Sequence, residues 1–497
     1  MNRSDSLSAL PVRDLDSVLN AWVEHRWLRP LDRALVHFLR DLVPDCDPWT
    51  LLSAALVSHQ LGRGHICMVL EDVLQDPDGL LALPPENRQA DPSVPRPSQL
   101  LRALDVQHWM ETLANSPVVD TPAAIPSVRA DGVRPLVLEQ GRLYLRRYWR
   151  YEQQVARHLR QRLTQPAHPT PQLREHLDNL FSALRDADEL AGQSIHWQTV
   201  AAALAARHGF TVISGGPGTG KTTTVVRLLG VLQMQALSRG AQPLLIRLAA
   251  PTGKAAARLT ESIGSALKTL PDAVQQQVPA QVTTLHRLLG PLPDSRQFRH
   301  HAGNPLSLDV LVVDEASMVD LEMMAQVLDA LPAQARLILL GDKDQLASVE
   351  AGAVLGELCA LADQPGYTAA NTTWLRANTG YDLDAWQGGA SALGDHIALL
   401  RKSHRFGPHS GIGRLALAVN TADQDALQGL WDAGLNDIGR LDLGQHPVAL
   451  DRLIQHGQAG QFPPTANIVG YAHYLQVLRQ HRPAPGDRAA VSRWASN

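Results

Sequence analysis

The stretch TVISGGPGTGKTTTVVRLL, residues 211–229, is the part of this chain that says most about its fold. Its apolar beginning predicts a short strand, its glycines predict a tight loop, and the residues from Lys221 onward predict a helix. The pattern Gly215-x-x-x-x-Gly220-Lys221-Thr222 matches the phosphate-binding loop, and it lies between a strand and a helix as that loop requires. The stretch therefore predicts a site for a nucleoside triphosphate at the end of this strand.

The residue types in this loop suit the phosphates and a magnesium ion. Backbone N–H groups would surround the phosphates, Lys221 would reach the β and γ phosphates, and the Thr222 hydroxyl would bind Mg²⁺. The alternative is a flexible glycine loop without a ligand, which the flanking strand and helix argue against. The residues predicted to hold the nucleotide here are Gly215, Gly216, Pro217, Gly218, Thr219, Gly220, Lys221, Thr222 and Thr223.

Two further strand ends carry polar residues suited to hydrolysis. LVVDEASM, residues 311–318, delivers Asp314 and Glu315 to the end of an apolar strand. Asp314 would hold Mg²⁺ through water, and Glu315 would orient or deprotonate the attacking water. Gln345 follows the next strand and suits contact with a γ phosphate or with that water. A solvated acidic turn and a surface glutamine are the alternatives, and the upstream phosphate loop favours the catalytic interpretation.

A fourth strand end, APTGKAAARLTE at residues 250–261, opens a helix. Its N-terminus, with Thr252 and Lys254, could bind a phosphate of the nucleotide or of a DNA backbone. An ordinary capped helix with a solvated lysine is the alternative, and the residues alone leave the two open.

The whole chain reads as an α/β protein. From about residue 195, short apolar strands alternate with helices, which predicts a parallel sheet covered on both faces with ligands at the carboxyl ends of its strands. The N-terminal third has helical periodicity, including residues 143–163, and is predicted to be mostly α. Proline clusters at residues 83–99 and 164–172 predict loops or linkers.

The amino-acid composition limits the classes of protein to which this chain can belong. The chain has 497 residues, of which 44% are apolar, and a formal net charge of -4. Nucleic-acid contact would therefore depend on local basic patches. The three scattered cysteines argue against a structural zinc site or a disulfide framework and fit a reducing compartment. With no apolar run long enough for a membrane span and a polar N-terminus, we expect a soluble cytoplasmic protein that makes no membrane contact.

Taken in order, the motifs resemble those of superfamily-one helicases and, more narrowly, of the RecD family, the α subunits of the bacterial exodeoxyribonuclease V complex, RecBCD. The resemblance covers roughly residues 25–480 and includes N-terminal segments similar to the domain with which the family docks on its partners. The segments that carry it are LRPLDRALVHFL, LLSAALVSHQLGRGHIC, RLYLRRYWRYEQ, GGPGTGKTTTV, APTGKAAARL, TTLHRLLG, VVDEASM, GDKDQLASVEAG and KSHRFGPHSGIGRLALAVN.

The resemblance implies roles at matching positions. Gln198 takes the place of the glutamine that recognises adenine, and Arg405 that of an arginine which the family aims at the γ phosphate from a second domain. The positions it places near DNA are Thr252, Lys254, Thr284 and His286.

It also implies a RecA-like motor that uses ATP and Mg²⁺. Such a subunit moves 5′ to 3′ along single-stranded DNA and unwinds duplex ends. RecB and RecC are its partners in double-strand break repair and recombination. The domain division that follows is a helical partner-docking domain at 1–120, a linker and helical segment at 121–190, a first RecA-like ATPase domain at 191–360 and a partial second one at 361–497.

The chain departs from the family pattern near its C-terminus. After residue 480 we find neither the Thr-x-His-Lys-Ser-Gln-Gly-like nor the Tyr-Thr-Ala-x-Thr-Arg-like segment of the family. We therefore expect an incomplete second motor domain, poor folding from about residue 400, weak ATP binding and little unwinding. An ATP-binding or scaffolding remnant that docks on RecC is the alternative function. A stand-alone helicase is a third possible function, and the segment RLYLRRYWRYEQ argues against it.

Overall fold

The computed structural model describes residues 12–85, 91–102, 104–122, 134–190, 192–345, 350–389, 391–407, 410–435, 437–456 and 468–480. The chain divides into two compact units, Met1–Arg405 and Phe406–Asn497. The first contains both an N-terminal domain and the predicted parallel sheet. Among the described residues, no helix combines the length and the apolar character needed to cross a bilayer.

The N-terminal domain combines helices with a small sheet. Its four short strands have the order β1-β4-β3-β2, with β3 antiparallel to β4 and β4 antiparallel to β1. In chain order the elements are α1 (Val12–Glu24), α2 (Pro30–Leu42), α3 (Pro48–Leu61), β1 (Cys67–Val69), α4 (Leu70–Gln75), α5 (Pro77–Leu81), α6 (Pro97–Leu101), α7 (Val106–Asn115), β2 (Val119–Asp120), β3 (Leu136–Glu139), β4 (Arg142–Leu145) and α8 (Arg146–Leu163).

The prediction of a mostly helical N-terminal region was right for the helices but missed this sheet. Its strands are two to four residues long, which is too short for a period of two to stand out from the sequence. The helix predicted from residue 143 begins at Arg146, because the preceding residues form β4. The sheet also extends past the predicted domain boundary at residue 120.

The predicted parallel sheet is present, and six of its strands lie within the described residues. All neighbouring pairs are parallel, in the order β10-β5-β9-β8-β6-β7. The elements are α9 (Leu173–Leu190), α10 (Trp197–Arg207), β5 (Phe210–Gly215), α11 (Lys221–Ser238), β6 (Ile246–Ala250), α12 (Gly253–Leu267), α13 (Asp272–Gln275), β7 (Val282–Thr284), α14 (Leu285–Leu289), β8 (Val310–Val313), α15 (Leu321–Ala330), β9 (Arg336–Gly341), α16 (Val354–Leu358), α17 (Ala369–Thr379) and β10 (Ile397–Leu400).

Helices cover both faces of this sheet. One face packs on α9, α10, α11 and α12, and the other on α8, α14 and α15. The strands β5, β8 and β9 are buried along their whole length, as the near-continuous apolar runs predict for a sheet covered on both sides. The side chain of Arg162 fixes α8 in place, because its guanidinium donates to the carbonyl oxygens of Ala335 at 2.7 Å and Pro332 at 3.0 Å.

The sheet continues beyond the domain boundary that we predicted at residue 360. The edge strand Ile397–Leu400 pairs with β5, from Ile397 opposite Val212 to Leu400 opposite Gly215. Residues up to Arg405 belong to the same compact unit as the phosphate loop.

The described residues of the second unit form helices α18 (Gly411–Asn420), α19 (Gln424–Asp432), α20 (Ala449–His456) and α21 (Tyr471–Gln480), with no strand in its described part. Its RecA-like character stays a prediction.

Candidate nucleotide and DNA site

The predicted site residues, except Gln198, lie at or just beyond the carboxyl ends of the six parallel strands. Because those ends share one edge of the sheet, residues far apart in sequence are brought to the same side of the molecule. The phosphate loop follows β5, Thr252 follows β6, Thr284 and His286 lie at and after the end of β7, Asp314 and Glu315 follow β8, Gln345 follows β9, and Arg405 follows β10.

The phosphate loop needs glycine at two positions. Gly218 and Gly220 have φ angles of 79° and 81°, in the left-handed region that side chains disfavour. A Cβ on Gly220 would lie 2.3 Å from Nε2 of Gln198. A Cβ on Gly216 would meet no atom of the described residues within 4 Å, so the loop has an open side where phosphates can approach the backbone. The helix α11 begins at Lys221, with its positive dipole end toward this space.

Lys221 lies folded over the loop. Its Nζ donates to the carbonyl oxygens of Gly215 at 2.5 Å and Gly216 at 3.2 Å. These neutral acceptors hold the ammonium beside the open loop, and a phosphate oxygen is a stronger, charged acceptor for the same group. The arrangement therefore suits a lysine that moves onto a bound phosphate.

The two acids leave β8 in different conformations. Asp314 is half-buried, and loss of solvation raises its pKa to about 6; the backbone N–H of Glu315 opposes this rise, the charge of Glu315 adds to it, and Lys221 opposes it. Glu315 has a φ of 51° and turns the chain into a short 3₁₀ helix, Ala316–Met318. A non-glycine residue in the left-handed region stores local strain of a kind that is common at active sites.

Gln345 is connected to the turn that follows the acids. The hydroxyl of Ser317 donates to Oε1 of Gln345 at 3.0 Å. This bond joins the end of β9 to the end of β8 and brings Gln345 to the predicted hydrolytic residues. Ser317 had no role in our sequence analysis, although it stands within the LVVDEASM segment.

Gln198 lies beside the phosphate loop, near the start of α10. Its side chain is buried, and Nε2 donates to the carbonyl oxygen of Thr219 at 3.1 Å. Its Oε1 is a buried acceptor with no hydrogen-bond partner among the described residues. A buried acceptor without a partner costs free energy unless a ligand satisfies it, and the exocyclic amine of adenine is a donor of the required kind.

Arg405 reaches the loop from a place that we did not expect. We expected it to come from a second motor domain, but it follows β10 and lies in the same compact unit as the phosphate loop. The hydroxyl of Ser403 donates to the Pro217 carbonyl at 3.1 Å, and the backbone N–H of His404 donates to the Gly218 carbonyl at 2.8 Å. Because β10 adds to the sheet beside β5, the segment after it runs directly against the phosphate loop.

The four predicted DNA-contact residues lie beyond β6 and β7. The hydroxyl of Thr252 caps α12 by accepting from the N–H of Ala255 at 3.2 Å. The hydroxyl of Thr284 caps α14 in the same way, at 3.2 Å from the N–H of Arg287. Lys254 and His286 are exposed. The geometry fits the capped-helix interpretation of Thr252 and leaves a basic, accessible surface at this end of the sheet.

The fold and the phosphate loop define a protein of the phosphate-loop nucleotide-binding class. A family model described as "AAA domain" matches residues 198–351, and one described as "RecBCD enzyme subunit RecD, N-terminal domain" matches residues 24–144. The chain belongs to the RecD family of ATP-dependent DNA helicase subunits.

The relatives cover most of the chain. The RecBCD enzyme subunit RecD of Mycolicibacterium smegmatis is 38% identical over 485 residues, which are 96% of this chain and 73% of that protein. The corresponding subunit of Haemophilus influenzae is 36% identical over 77% of this chain and 58% of its own length. The ATP-dependent RecD2 DNA helicase of Deinococcus radiodurans is 34% identical over 51% of this chain and 32% of that protein.

Proposed function

We propose that this chain is an ATP-driven 5′-to-3′ DNA motor subunit that works with RecB and RecC at DNA ends in double-strand break repair and recombination. The observation that carries the proposal is the meeting of the phosphate loop, the Asp314–Glu315 turn and the Arg405 segment at one edge of a single sheet. These are the parts that the hydrolysis of a triphosphate needs: a phosphate cradle, acids beside it, and a cation to offset developing charge.

The nucleotide would be held from three sides. Backbone N–H groups of the loop and Lys221 would bind the phosphates, and Oε1 of Gln198 would accept a hydrogen bond from the adenine amine. Glu315 would orient or deprotonate the attacking water, with Gln345 beside it. Arg405 would neutralise charge on the γ phosphate. Since Arg405 and the loop share one unit, this contact would not depend on closure of a second domain.

A magnesium ion fits the donors that are present. Thr222 and Asp314 supply a hydroxyl and a carboxylate, and Mg²⁺ commonly takes one or two protein oxygens together with phosphate oxygens and water. When bound, the ion would neutralise phosphate charge. The raised pKa of Asp314, about 6, still leaves the carboxylate mostly ionised at neutral pH, so it can serve as a ligand there.

Single-stranded DNA would bind at the other end of the same sheet edge. The exposed Lys254 and His286 could contact backbone phosphates, while Thr252 and Thr284 shape the two helix starts that carry them. Strand β6, which precedes Thr252, lies directly beside β8 in the sheet. A change at the Asp314–Glu315 turn can therefore reach the DNA surface through neighbouring strands.

The N-terminal domain would dock on RecC. Leu31, Phe38 and Leu42 lie along one face of α2 and are 66%, 58% and 57% exposed. Such a stripe of large apolar side chains is typical of a surface that a partner covers. We expect Phe38→Asp to weaken co-purification with RecC by at least about tenfold, whereas His37→Asp, on the same helix, should have little effect. A cytoplasmic location goes with this assignment and stays a prediction.

The test is ATP hydrolysis by this chain with and without single-stranded DNA. We expect DNA to stimulate hydrolysis, and Lys221→Gln to remove at least about 99% of the stimulated rate. Lys268→Gln is the matched control, because Lys268 is an exposed lysine at the end of α12. Lack of hydrolysis by a folded chain, both alone and with RecB and RecC, would refute the proposal and leave the scaffolding alternative.

A further inference from the structure

A buried carboxylate outside the predicted motifs is paired with the segment that carries Arg405. Asp188, near the end of α9, is only 7% exposed. Its Oδ1 accepts from Nζ of Lys402 at 2.6 Å, and its Oδ2 lies 3.7 Å from Nε2 of His196. Lys402 stands three residues before Arg405, and His196 stands two residues before Gln198.

The hydrogen bonds of His196 show which of its two ring nitrogens carries the proton. Nδ1 accepts from the backbone N–H of Thr199 at 3.2 Å and lies 2.7 Å from the Thr199 hydroxyl. The ring proton is therefore on Nε2, which points toward Asp188. Burial lowers the pKa of His196 to about 4, so the ring is neutral at pH 7. It caps the helix α10 that carries Gln198.

The ion pair with Lys402 connects Asp188 to the segment that carries Arg405. Leu400 ends β10, and beyond it Ser403 and His404 are hydrogen-bonded to the phosphate loop. Lys402 lies between the strand and those bonds, so its ion pair with Asp188 fixes the segment at its middle. The neighbouring Arg401 is held separately, with its guanidinium 3.9 Å from the ring centroid of Trp386.

We propose that Asp188 is a positioning residue for ATP hydrolysis, which holds the Arg405 segment through Lys402. The inference rests on the proposed ATPase function. Asp188 acts through its neighbour: its charge compensates the partly buried ammonium of Lys402, and the ion pair joins α9 to the segment that follows β10. A neutral side chain of the same shape would keep the packing but lose the ion pair.

This role makes a kinetic prediction that packing alone does not make. Because Arg405 would act in the transition state, Asp188→Asn should lower kcat for DNA-stimulated ATP hydrolysis about tenfold and change KM for ATP by less than about threefold. Lys402→Met should do the same. In an Arg405→Ala background, Asp188→Asn should have little further effect, because both changes remove the same interaction.

Exchanging the two charges of the Asp188–Lys402 ion pair gives the positive control. Asp188→Lys combined with Lys402→Asp should recover part of kcat, while each reversed charge alone should be worse than the corresponding neutral change. Thermal unfolding of every variant separates lost positioning from lost folding. If Asp188→Asn does not fold, the more exposed Lys402→Met and its cycle with Arg405→Ala decide the question.

The outcomes separate the inference from the proposed function. An active wild type whose kcat is unchanged by Asp188→Asn and Lys402→Met would overturn the inference alone. The inference would also be overturned if the kcat losses of Asp188→Asn and Arg405→Ala multiplied in the double variant, or if the single variants changed KM but not kcat. An inactive wild type would overturn the proposed function, and the inference with it.

Discussion

The two ends of one sheet edge are built differently. Beside β5, β8 and β10, polar groups are enclosed: Gln198 is buried, Asp314 is half-buried, and Lys221 is bonded to loop carbonyls. Beyond β6 and β7, the two threonine hydroxyls are bonded as helix caps, and Lys254 and His286 are exposed.

The difference follows from what each end is proposed to bind. Hydrolysis needs charges held in fixed positions away from water, because each interaction is stronger in a low dielectric. A moving contact with a DNA backbone needs accessible cations that exchange with counterions. Burial, rather than residue type, thus distinguishes the two ends, since both carry lysine and threonine at helix starts.

The largest effect is expected at Glu315. Glu315→Gln removes the proposed base while keeping size and hydrogen bonding, and should lower the rate of ATP hydrolysis by about 10²- to 10⁴-fold with ATP binding retained. Hydrolysis and binding of a fluorescent ATP analogue would be measured on the same preparation. Glu261→Gln, at an exposed position of α12, is the control. A fall of less than about tenfold would mean that Glu315 is not the base.

The ionised carboxylate of Asp314 should lower the stability of the folded chain, because folding removes this charge from water. Its pKa is raised from 3.8 to about 6, so between these values the folded state binds the proton more tightly than the unfolded state does. The free energy of unfolding therefore falls as pH rises through this interval, by about 3 kcal/mol in total.

Asp314→Asn should accordingly increase the free energy of unfolding of the nucleotide-free chain at pH 8, and the gain should shrink as pH falls from 6 toward 4. Urea unfolding at several pH values measures this change. The same variant should lose Mg²⁺-dependent hydrolysis. A variant less stable than wild type at pH 8 would contradict the proposed cost of burying this charge.

A smaller effect is expected from the cap at the exposed end. Thr252→Ala should cost about 1 kcal/mol of stability, whereas Thr252→Asp should keep the cap, because aspartate caps helices well. If DNA passes this helix start, Thr252→Asp should nevertheless weaken binding of single-stranded DNA, since it adds a negative charge beside the phosphates. Equal DNA affinity for wild type and Thr252→Asp would remove this residue from the DNA surface.

The smallest effect is expected at Lys254. Lys254→Gln should weaken binding of single-stranded DNA only a few-fold and reduce the slope of log affinity against log salt by about 0.7, the value for one phosphate contact. Fluorescence anisotropy over a series of salt concentrations measures the slope, with Lys268→Gln as the control. An unchanged slope would show that Lys254 does not contact the backbone.

Much of the motor fold could be predicted because its signals are local. The apolar runs around β5, β6, β8 and β9 can be recognised in the sequence, and the phosphate loop is one contiguous motif. The strands β7 and β10 were missed, although β10 is as long as β8, and the N-terminal sheet was missed as well. Asp188 was missed too, because nothing in its neighbourhood in the sequence marks an acid whose partner lies more than two hundred residues away.

The order of the amino acids alone establishes which residues follow the four predicted strands and what chemistry those residues can perform. It also determined the conformation of the phosphate loop, because that conformation depends on neighbouring dihedral angles and on glycines at set positions. The position of β10 beside β5, which brings Arg405 to the phosphate loop within one compact unit, is a property of the folded chain that its sequence does not reveal. Strand order depends on hydrogen bonds and packing between distant segments, and such contacts leave no pattern in either segment alone.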